Sequence, residues 1–112
     1  MAAERKPALL QGSLDMLILQ ALKKEPKHGY AIARHLKEVS RDFLNVEEGS
    51  LYPALYRLEQ RGWITSYWGT SDSNRRAKYY ELSPLGRGQL KAEAEAWRRM
   101  STAIDRVMGF QA

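Results

Sequence analysis

The sequence contains no cysteine and no long uninterrupted hydrophobic run, and each absence removes a class of protein. Without cysteine the chain cannot form disulfides, a thiol nucleophile or a cysteine-ligated zinc site. No segment approaches the roughly 18 consecutive apolar residues that a transmembrane helix needs. We therefore expect a soluble cytoplasmic protein that has no membrane partner.

Residue sets typical of enzymes, metal sites and cofactor loops are also scarce. His28 and His35 are seven residues apart, but His28 falls in a predicted turn, so we do not expect the two to share a helix face. Ser50 has no base beside it in the sequence. The glycines of "GRG", Gly86 to Gly88, match no phosphate-binding spacing. We therefore predict no catalytic residues, no metal and no cofactor, and we do not expect an enzyme.

The length and charge of the chain set weaker limits. Its 112 residues suggest one small domain, for which dimerisation is a common source of added stability. The net charge is +5, and basic against acidic residues number 8 to 5 in residues 1–46, 5 to 5 in 47–83 and 5 to 3 in 84–112. This distribution permits a polyanionic partner but is equally compatible with an ordinary charged surface.

Apolar spacing and turn residues predict the order helix, helix, short strand, helix, hairpin, long helix. The first helix is expected from Gly12 or an N-cap at Ser13 to Lys24, the second from Tyr30 to Ser40, and a very short strand at Phe43–Val46. The third helix is expected to begin after an N-cap at Ser50 and to end before Gly62. The predicted hairpin pairs Trp63–Trp68 with Lys78–Leu82 around the loop Gly69–Ala77, and a last helix follows the cap Ser83, with Pro84 first, to about Met108. This order indicates a mainly α, α+β winged helix-turn-helix in residues 1–83, followed by a C-terminal dimerisation helix in 84–112.

The third helix has one apolar face, formed by Leu51, Leu55 and Leu58. Pro53, Tyr56, Arg57 and Gln60 lie on the opposite face. With Ser50 as N-cap, Pro53 would fall in the first turn, where its missing N–H costs no intrahelical bond. Either the proline only stiffens the helix start, or it belongs to a surface that approaches DNA with its N-terminal residues, as recognition helices do.

Two further segments suggest binding surfaces. The hairpin tip carries Arg75, Arg76 and Lys78, a cluster that is often only solvated but that suits a DNA backbone when it lies beside a recognition helix. The last helix has apolar or small residues at heptad spacing, which indicates a dimer seam. The seam residues are Leu90, Ala94, Trp97, Ser101, Ile104 and Met108.

The segment "EEGSLYPALYRLEQRGWI", followed by "RRAKYYELSPLGRGQL", resembles the PadR-type transcriptional regulators. "LDMLILQALKKEPKHGYAIARHL" is similar to that family's opening helices, and the likeness extends from about Leu14 to Leu90. It implies a winged-helix dimer that binds operator DNA, usually as a repressor released by a ligand or a stress signal. Together with the face analysis, it gives the predicted DNA-binding residues Gly49, Ser50, Tyr52, Pro53, Tyr56, Arg57, Gln60, Arg75, Arg76 and Lys78.

The resemblance includes multidrug-sensing members of the family. It implies that Trp97, with Met16, Leu17 and Met100, lines a pocket for a small hydrophobic or aromatic effector. The alternative is that Trp97 only packs in the dimer interface. Two other functions remain open: a winged helix used for protein–protein assembly without DNA, and a dimer that mainly buffers hydrophobic compounds.

Overall fold

The computed structural model describes residues 8–110, and their side chains from residue 13 onward. The helices and strands follow in the order α1 Ala8–Ala21, β1 Lys27–His28, α2 Gly29–Val39, α3 Glu48–Gln60, β2 Ile64–Thr70, β3 Arg76–Leu82 and α4 Pro84–Met108. Three helices thus precede a two-stranded hairpin and a long helix, which confirms the predicted mainly α winged helix. No helix among the described residues is both long enough and apolar enough to cross a membrane.

The core forms where the inner faces of the three short helices meet the sheet and the start of α4. Its fully buried side chains are branched aliphatic residues, among them Ile18, Leu19, Ile32, Leu55, Leu58 and Ile64. The predicted apolar face of α3 is confirmed, because Leu51, Leu55 and Leu58 are each at most 1% exposed. Val39, the last residue of α2, is 69% exposed and lies outside this core.

The first helix begins earlier and ends earlier than its sequence suggests. It starts at Ala8, so Ser13 lies inside the helix and is not its N-cap. It ends at Ala21 rather than Lys24 because the chain turns toward β1. The Lys27 ammonium then donates a hydrogen bond of 2.8 Å to the Ala21 carbonyl, which satisfies one of the carbonyls that a helix end leaves without a partner.

The predicted strand at Phe43–Val46 does not form, and the third strand lies elsewhere. Within the described residues the sheet has the order β1-β3-β2, with Lys27 opposite Tyr80 and His28 opposite Tyr79. The strand β1, and not residues 43–46, therefore pairs with the edge of β3 that β2 leaves free. Two residues of pairing give no alternation along the chain, which is why the sequence did not indicate β1.

The helix α3 begins at Glu48 with Glu47 as N-cap, so Ser50 is not the cap. Pro53 is then the sixth helical residue, and the expectation that it costs no intrahelical bond is wrong. It supplies no N–H to the carbonyl of Gly49. Because Gly49 is exposed, solvent can hydrate that carbonyl, which limits the cost. Gly62 ends the helix at φ +77°, as predicted.

The hairpin strands are longer than predicted, and the turn is confined to residues 71–75. Arg76, predicted in the loop, therefore belongs to β3, as Lys78 does. The start of α4 is as predicted: the Gly86 N–H donates to the Ser83 hydroxyl at 3.0 Å, and Pro84 occupies the first turn. Gly86 and Leu90 are buried against the winged-helix core, and the division between residues 83 and 84 stays a prediction.

Candidate nucleic-acid interface

The start of α2, Tyr52 of α3 and the hairpin enclose a cleft of about 500 Å³. The hairpin contributes the cations predicted from its tip, and α2 contributes Arg34, which the sequence analysis missed. Tyr30 and Tyr52 add aromatic surface. The basic and aromatic residues of the cleft are His28, Tyr30, Arg34, Tyr52, Trp68, Arg75, Arg76, Lys78 and Tyr80. Cations interleaved with aromatic side chains are typical of nucleic-acid contact surfaces.

Two side chains of α2, those of Tyr30 and Arg34, lie in this cleft although neither was predicted from the sequence. Tyr30 is 66% exposed, and the Arg34 guanidinium lies 5.5 Å from the centre of its ring. The "HGY" turn could have indicated these two side chains, since it places an aromatic residue at the start of α2 with a cation one turn later. In a helix-turn-helix the helix before the recognition helix crosses the DNA backbone, so both residues belong to the candidate site.

The hairpin cations are held in different ways. The Arg76 guanidinium stacks 4.4 Å above the centre of the Trp68 ring, a contact that contributes about 0.5–1 kcal/mol on a surface. The Lys78 ammonium lies 3.8 Å from a carboxylate oxygen of Glu59, which offsets part of its charge. The Arg75 side chain is exposed in the turn, and the Arg75 carbonyl accepts a 2.7 Å bond from the Ser71 N–H.

Glu59 connects α3 to the hairpin beneath the cleft. Its second carboxylate oxygen accepts a 2.6 Å hydrogen bond from the Ser66 hydroxyl. Burial raises the pKa of the Tyr80 phenol, and the negative charge of Glu59 and the neighbouring Tyr52 raise it further. Tyr80 is therefore neutral at physiological pH, and the floor of the cleft carries no additional negative charge from it.

The exposed face of α3 contains most of the residues predicted to bind DNA. Gly49, Ser50, Tyr52, Pro53, Tyr56, Arg57 and Gln60 are all exposed. Tyr52 also packs on Gly29 of α2: a Cβ atom placed on Gly29 would lie 2.5 Å from the Tyr52 hydroxyl oxygen. The absence of a side chain at Gly29 thus lets the Tyr52 ring lie across the start of α2, beside the cleft.

Arg57 is exposed but not free. Its Nη2 donates to Oδ1 of Asp15 in α1 at 2.8 Å, and Nη1 of Arg61 lies 3.4 Å from the other carboxylate oxygen. Asp15 could not be predicted as part of the site, because residues 42 positions apart share no local pattern. The side chain predicted to read DNA is thus oriented by a carboxylate from another helix.

The family model for the transcriptional regulator PadR-like family matches residues 18–92. The chain belongs to this family. It is therefore a DNA-binding transcriptional regulator and not an enzyme.

Solved structures of related regulators have the same fold. A transcriptional regulator from Clostridium thermocellum is 29% identical, with a TM-score of 0.81 and coverage of 89% of this chain and 97% of that one. A PadR-like regulator from Bacillus cereus is 28% identical, with a TM-score of 0.79 and coverage of 91% and 97%. A PadR-family regulator from Clostridium difficile is 32% identical, with a TM-score of 0.75 and coverage of 87% and 99%.

A second concave surface of this PadR-family regulator lies between α1 and α4. It is a groove of about 530 Å³ lined by Ser13, Met16, Gln89, Ala92, Glu93, Ala96, Trp97 and Met100. Three of the residues predicted to line an effector pocket, Met16, Trp97 and Met100, therefore come together. Leu17 is not among the lining residues and packs against the core instead, because the next position on α1 points about 100° away from Met16.

The far half of α4 carries apolar side chains that the protomer leaves exposed. Ile104 is 42% and Met108 58% exposed, and Val107, which the heptad pattern did not include, is 86% exposed. Phe110, two residues beyond the end of the helix, is 62% exposed. Leu90, the first residue of the predicted seam, is only 5% exposed and belongs to the core of its own protomer. The start of α4 therefore packs against its own protomer, whereas the last turns leave their apolar side chains exposed.

Proposed function

We propose that this PadR-family regulator is a cytoplasmic homodimeric repressor that binds a pseudo-palindromic operator and is released from it by a planar hydrophobic ligand. The observation that carries the DNA-binding part is the cleft between α2, α3 and the hairpin. It combines the cations Arg34, Arg75, Arg76 and Lys78 with exposed aromatic rings, and it adjoins the exposed start of α3.

In this proposal the helix α3 enters the major groove, and the hairpin contacts the flanking backbone. Helix-turn-helix proteins present the first residues of their recognition helix to base edges, and Gly49, Ser50, Tyr52, Pro53 and Tyr56 form the exposed start of α3. Arg57 and Gln60 follow one turn later. Arginine can bind guanine through two hydrogen bonds, so we assign base reading to Arg57 and backbone contact to the hairpin cations.

The test begins with duplexes selected by the protein from a random-sequence pool. Kd for a selected duplex and for a shuffled duplex is then measured at several salt concentrations. We expect log affinity to fall linearly with log salt, by about 0.9 per phosphate contacted. Arg75→Ala should weaken both duplexes alike and flatten the salt dependence, whereas Arg57→Ala should mainly reduce the preference for the selected duplex. Equal losses for the two variants would contradict this division of roles.

The dimer is supported by the exposed apolar side chains along the far half of α4. A helix with an apolar seam needs a partner surface, and a second copy supplies the two-fold symmetry of a pseudo-palindromic operator. Ile104→Glu should convert the dimer to a monomer in sedimentation velocity and weaken operator binding. Thr102→Glu adds the same charge on a different face of α4 and should do neither. A dimer that tolerates Ile104→Glu would contradict the proposed interface.

The effector is supported by the groove between α1 and α4. Met16, Trp97 and Met100 provide polarisable and aromatic surface, to which a planar aromatic compound can stack. A planar dye should quench tryptophan fluorescence in the unchanged protein but much less in Trp97→Phe, and it should weaken operator binding. If the dye binds but operator affinity is unchanged, the protein buffers hydrophobic compounds and is not released by them.

A further inference from the structure

The carboxylate of Asp15 lies between Arg57 of α3 and Arg61, the C-cap residue of that helix. Arg57 Nη2 donates to Oδ1 at 2.8 Å, and Arg61 Nη1 lies 3.4 Å from Oδ2. The Asp15 side chain is 18% exposed, whereas those of Arg57 and Arg61 are 45% and 47% exposed. One half-buried carboxylate from α1 therefore restrains two cations on the helix that we expect to enter the major groove.

This arrangement limits both the charge and the freedom of the arginines. One negative charge offsets one of the two positive charges, so the cluster attracts phosphates less strongly than two free arginines would. Arg61 is further restrained because its guanidinium lies 5.1 Å from the centre of the Trp63 ring. Arg57 retains N–H donors beyond the one that it gives to Asp15, and the ion pair already orients its planar guanidinium.

We propose that Asp15 is a specificity-determining residue of the DNA-binding surface. It orients Arg57 for one base-edge geometry, and it prevents Arg57 and Arg61 from acting as general phosphate contacts. A free arginine reaches phosphates in any sequence, because phosphate contacts carry no sequence information. An oriented arginine gains its full binding energy only where a matching base edge is in place. The inference rests on the proposed placement of α3 in the major groove.

Asp15→Asn keeps the size of the side chain and removes its charge. The released arginines should then bind phosphates, so affinity for shuffled DNA should rise. The salt dependence should steepen by about 0.9 for each phosphate gained, which is about 3.5-fold in affinity over a fourfold change in salt. The ratio of selected to shuffled affinity should fall about fivefold or more, the discrimination that one good bidentate base contact provides.

The experiment uses the full chain, a duplex selected from a random pool by the unchanged protein, and a shuffled duplex of the same composition. Glu25→Gln is the matched control, since it removes one exposed negative charge and breaks a 3.8 Å ion pair with Lys27. In an Arg57→Ala background, Asp15→Asn should not lower the affinity ratio further. Asp15→Glu keeps the charge on a longer side chain, so it should lower the ratio and leave the salt dependence unchanged.

The possible results distinguish a failure of the Asp15 inference from a failure of the proposed DNA binding. If Asp15→Asn weakens both duplexes alike, or if Glu25→Gln reproduces its effects, Asp15 has no role in specificity although DNA binding by the unchanged chain stands. If the unchanged chain shows no salt-dependent binding to any duplex, the proposed function itself is wrong and the inference falls with it. Should Asp15→Asn fail to fold, the Asp15→Glu variant decides, and an unaltered affinity ratio there overturns the inference.

Discussion

Gly86 lies in the first turn of α4, where a methyl group would meet the backbone at the start of the hairpin. A Cβ atom there would lie 2.0 Å from the carbonyl oxygen of Trp63 and 3.0 Å from the Leu82 side chain. Since Cβ contacts below 3.0 Å essentially do not occur, Gly86→Ala must displace α4 from Trp63 by about 1 Å. Gly88 in the same helix is exposed, and nothing lies within 4 Å of its Cβ position.

The displacement would strain the hydrogen bonds that hold this joint together. The Ser83 N–H donates to the Trp63 carbonyl at 3.0 Å, and the Ser83 hydroxyl lies 2.7 Å from the Gly62 carbonyl oxygen. Overpacking costs about 1–3 kcal/mol, and two weakened hydrogen bonds cost about 1 kcal/mol each. Alanine returns about 1 kcal/mol of helix propensity. Gly86→Ala should therefore reduce the free energy of unfolding by about 2–4 kcal/mol.

The same substitution at Gly88 should have the opposite effect on the free energy of unfolding. Without a clash, Gly88→Ala should raise the free energy of unfolding by about 0.5–1 kcal/mol. Urea unfolding followed by far-UV circular dichroism measures both variants, at one protomer concentration because assembly affects apparent stability. Gly86→Ala with undiminished stability would refute the reasoning, and so would equal destabilisation by the two variants.

Three further predictions concern the cleft. Burial raises the pKa of the Tyr80 phenol in the folded protein. This group therefore stabilises the fold below the ordinary tyrosine pKa near 10, and the contribution is lost as the pH rises through the folded-state pKa. Tyr80→Phe should lack one late-ionising phenol in an ultraviolet titration and should lose less stability at alkaline pH. His28→Ala removes the imidazole Nδ1 that accepts from the Ala31 N–H at 3.2 Å and should cost about 1 kcal/mol in urea unfolding, whereas an unchanged midpoint would mean that the cap contributes nothing. Gly29→Ala should displace the Tyr52 ring, and the free energy of operator binding should fall by more than the free energy of unfolding does. An unchanged Kd for the operator would mean that Tyr52 does not contact DNA.

Elements whose signal is local could be predicted from the sequence. The leucine face of α3 repeats at helical spacing, and Ser83 with Pro84 marks a helix start through neighbouring residues alone. The order of the four helices and the place of the hairpin followed from such signals. The start of α3 did not, because Ser50 is a better intrinsic cap than Glu47. Glu47 nevertheless occupies the cap position, and its side chain makes no capping hydrogen bond.

Features that depend on tertiary contacts could not be predicted in this way. The strand β1 exists because Lys27 and His28 reach the free edge of β3, and two residues carry no periodic pattern. The ion pair between Asp15 and Arg57 joins different helices. The spacing of residues along α3 therefore indicated that Arg57 is exposed, but it could not show that a carboxylate restrains its side chain.

The helix α1 connects the two surfaces to which we assign function. Asp15 contacts α3 through Arg57 and Arg61, while the next residue, Met16, lines the groove against α4. Adjacent residues on a helix point about 100° apart, so a single rigid element presents one side chain to each surface. In the proposed effector model, a ligand that shifts α1 through Met16 also shifts the carboxylate that orients Arg57. Communication between groove and recognition helix then requires only a small movement of α1, because the Asp15 contact of 2.8 Å is lost once the helix shifts by about an ångström.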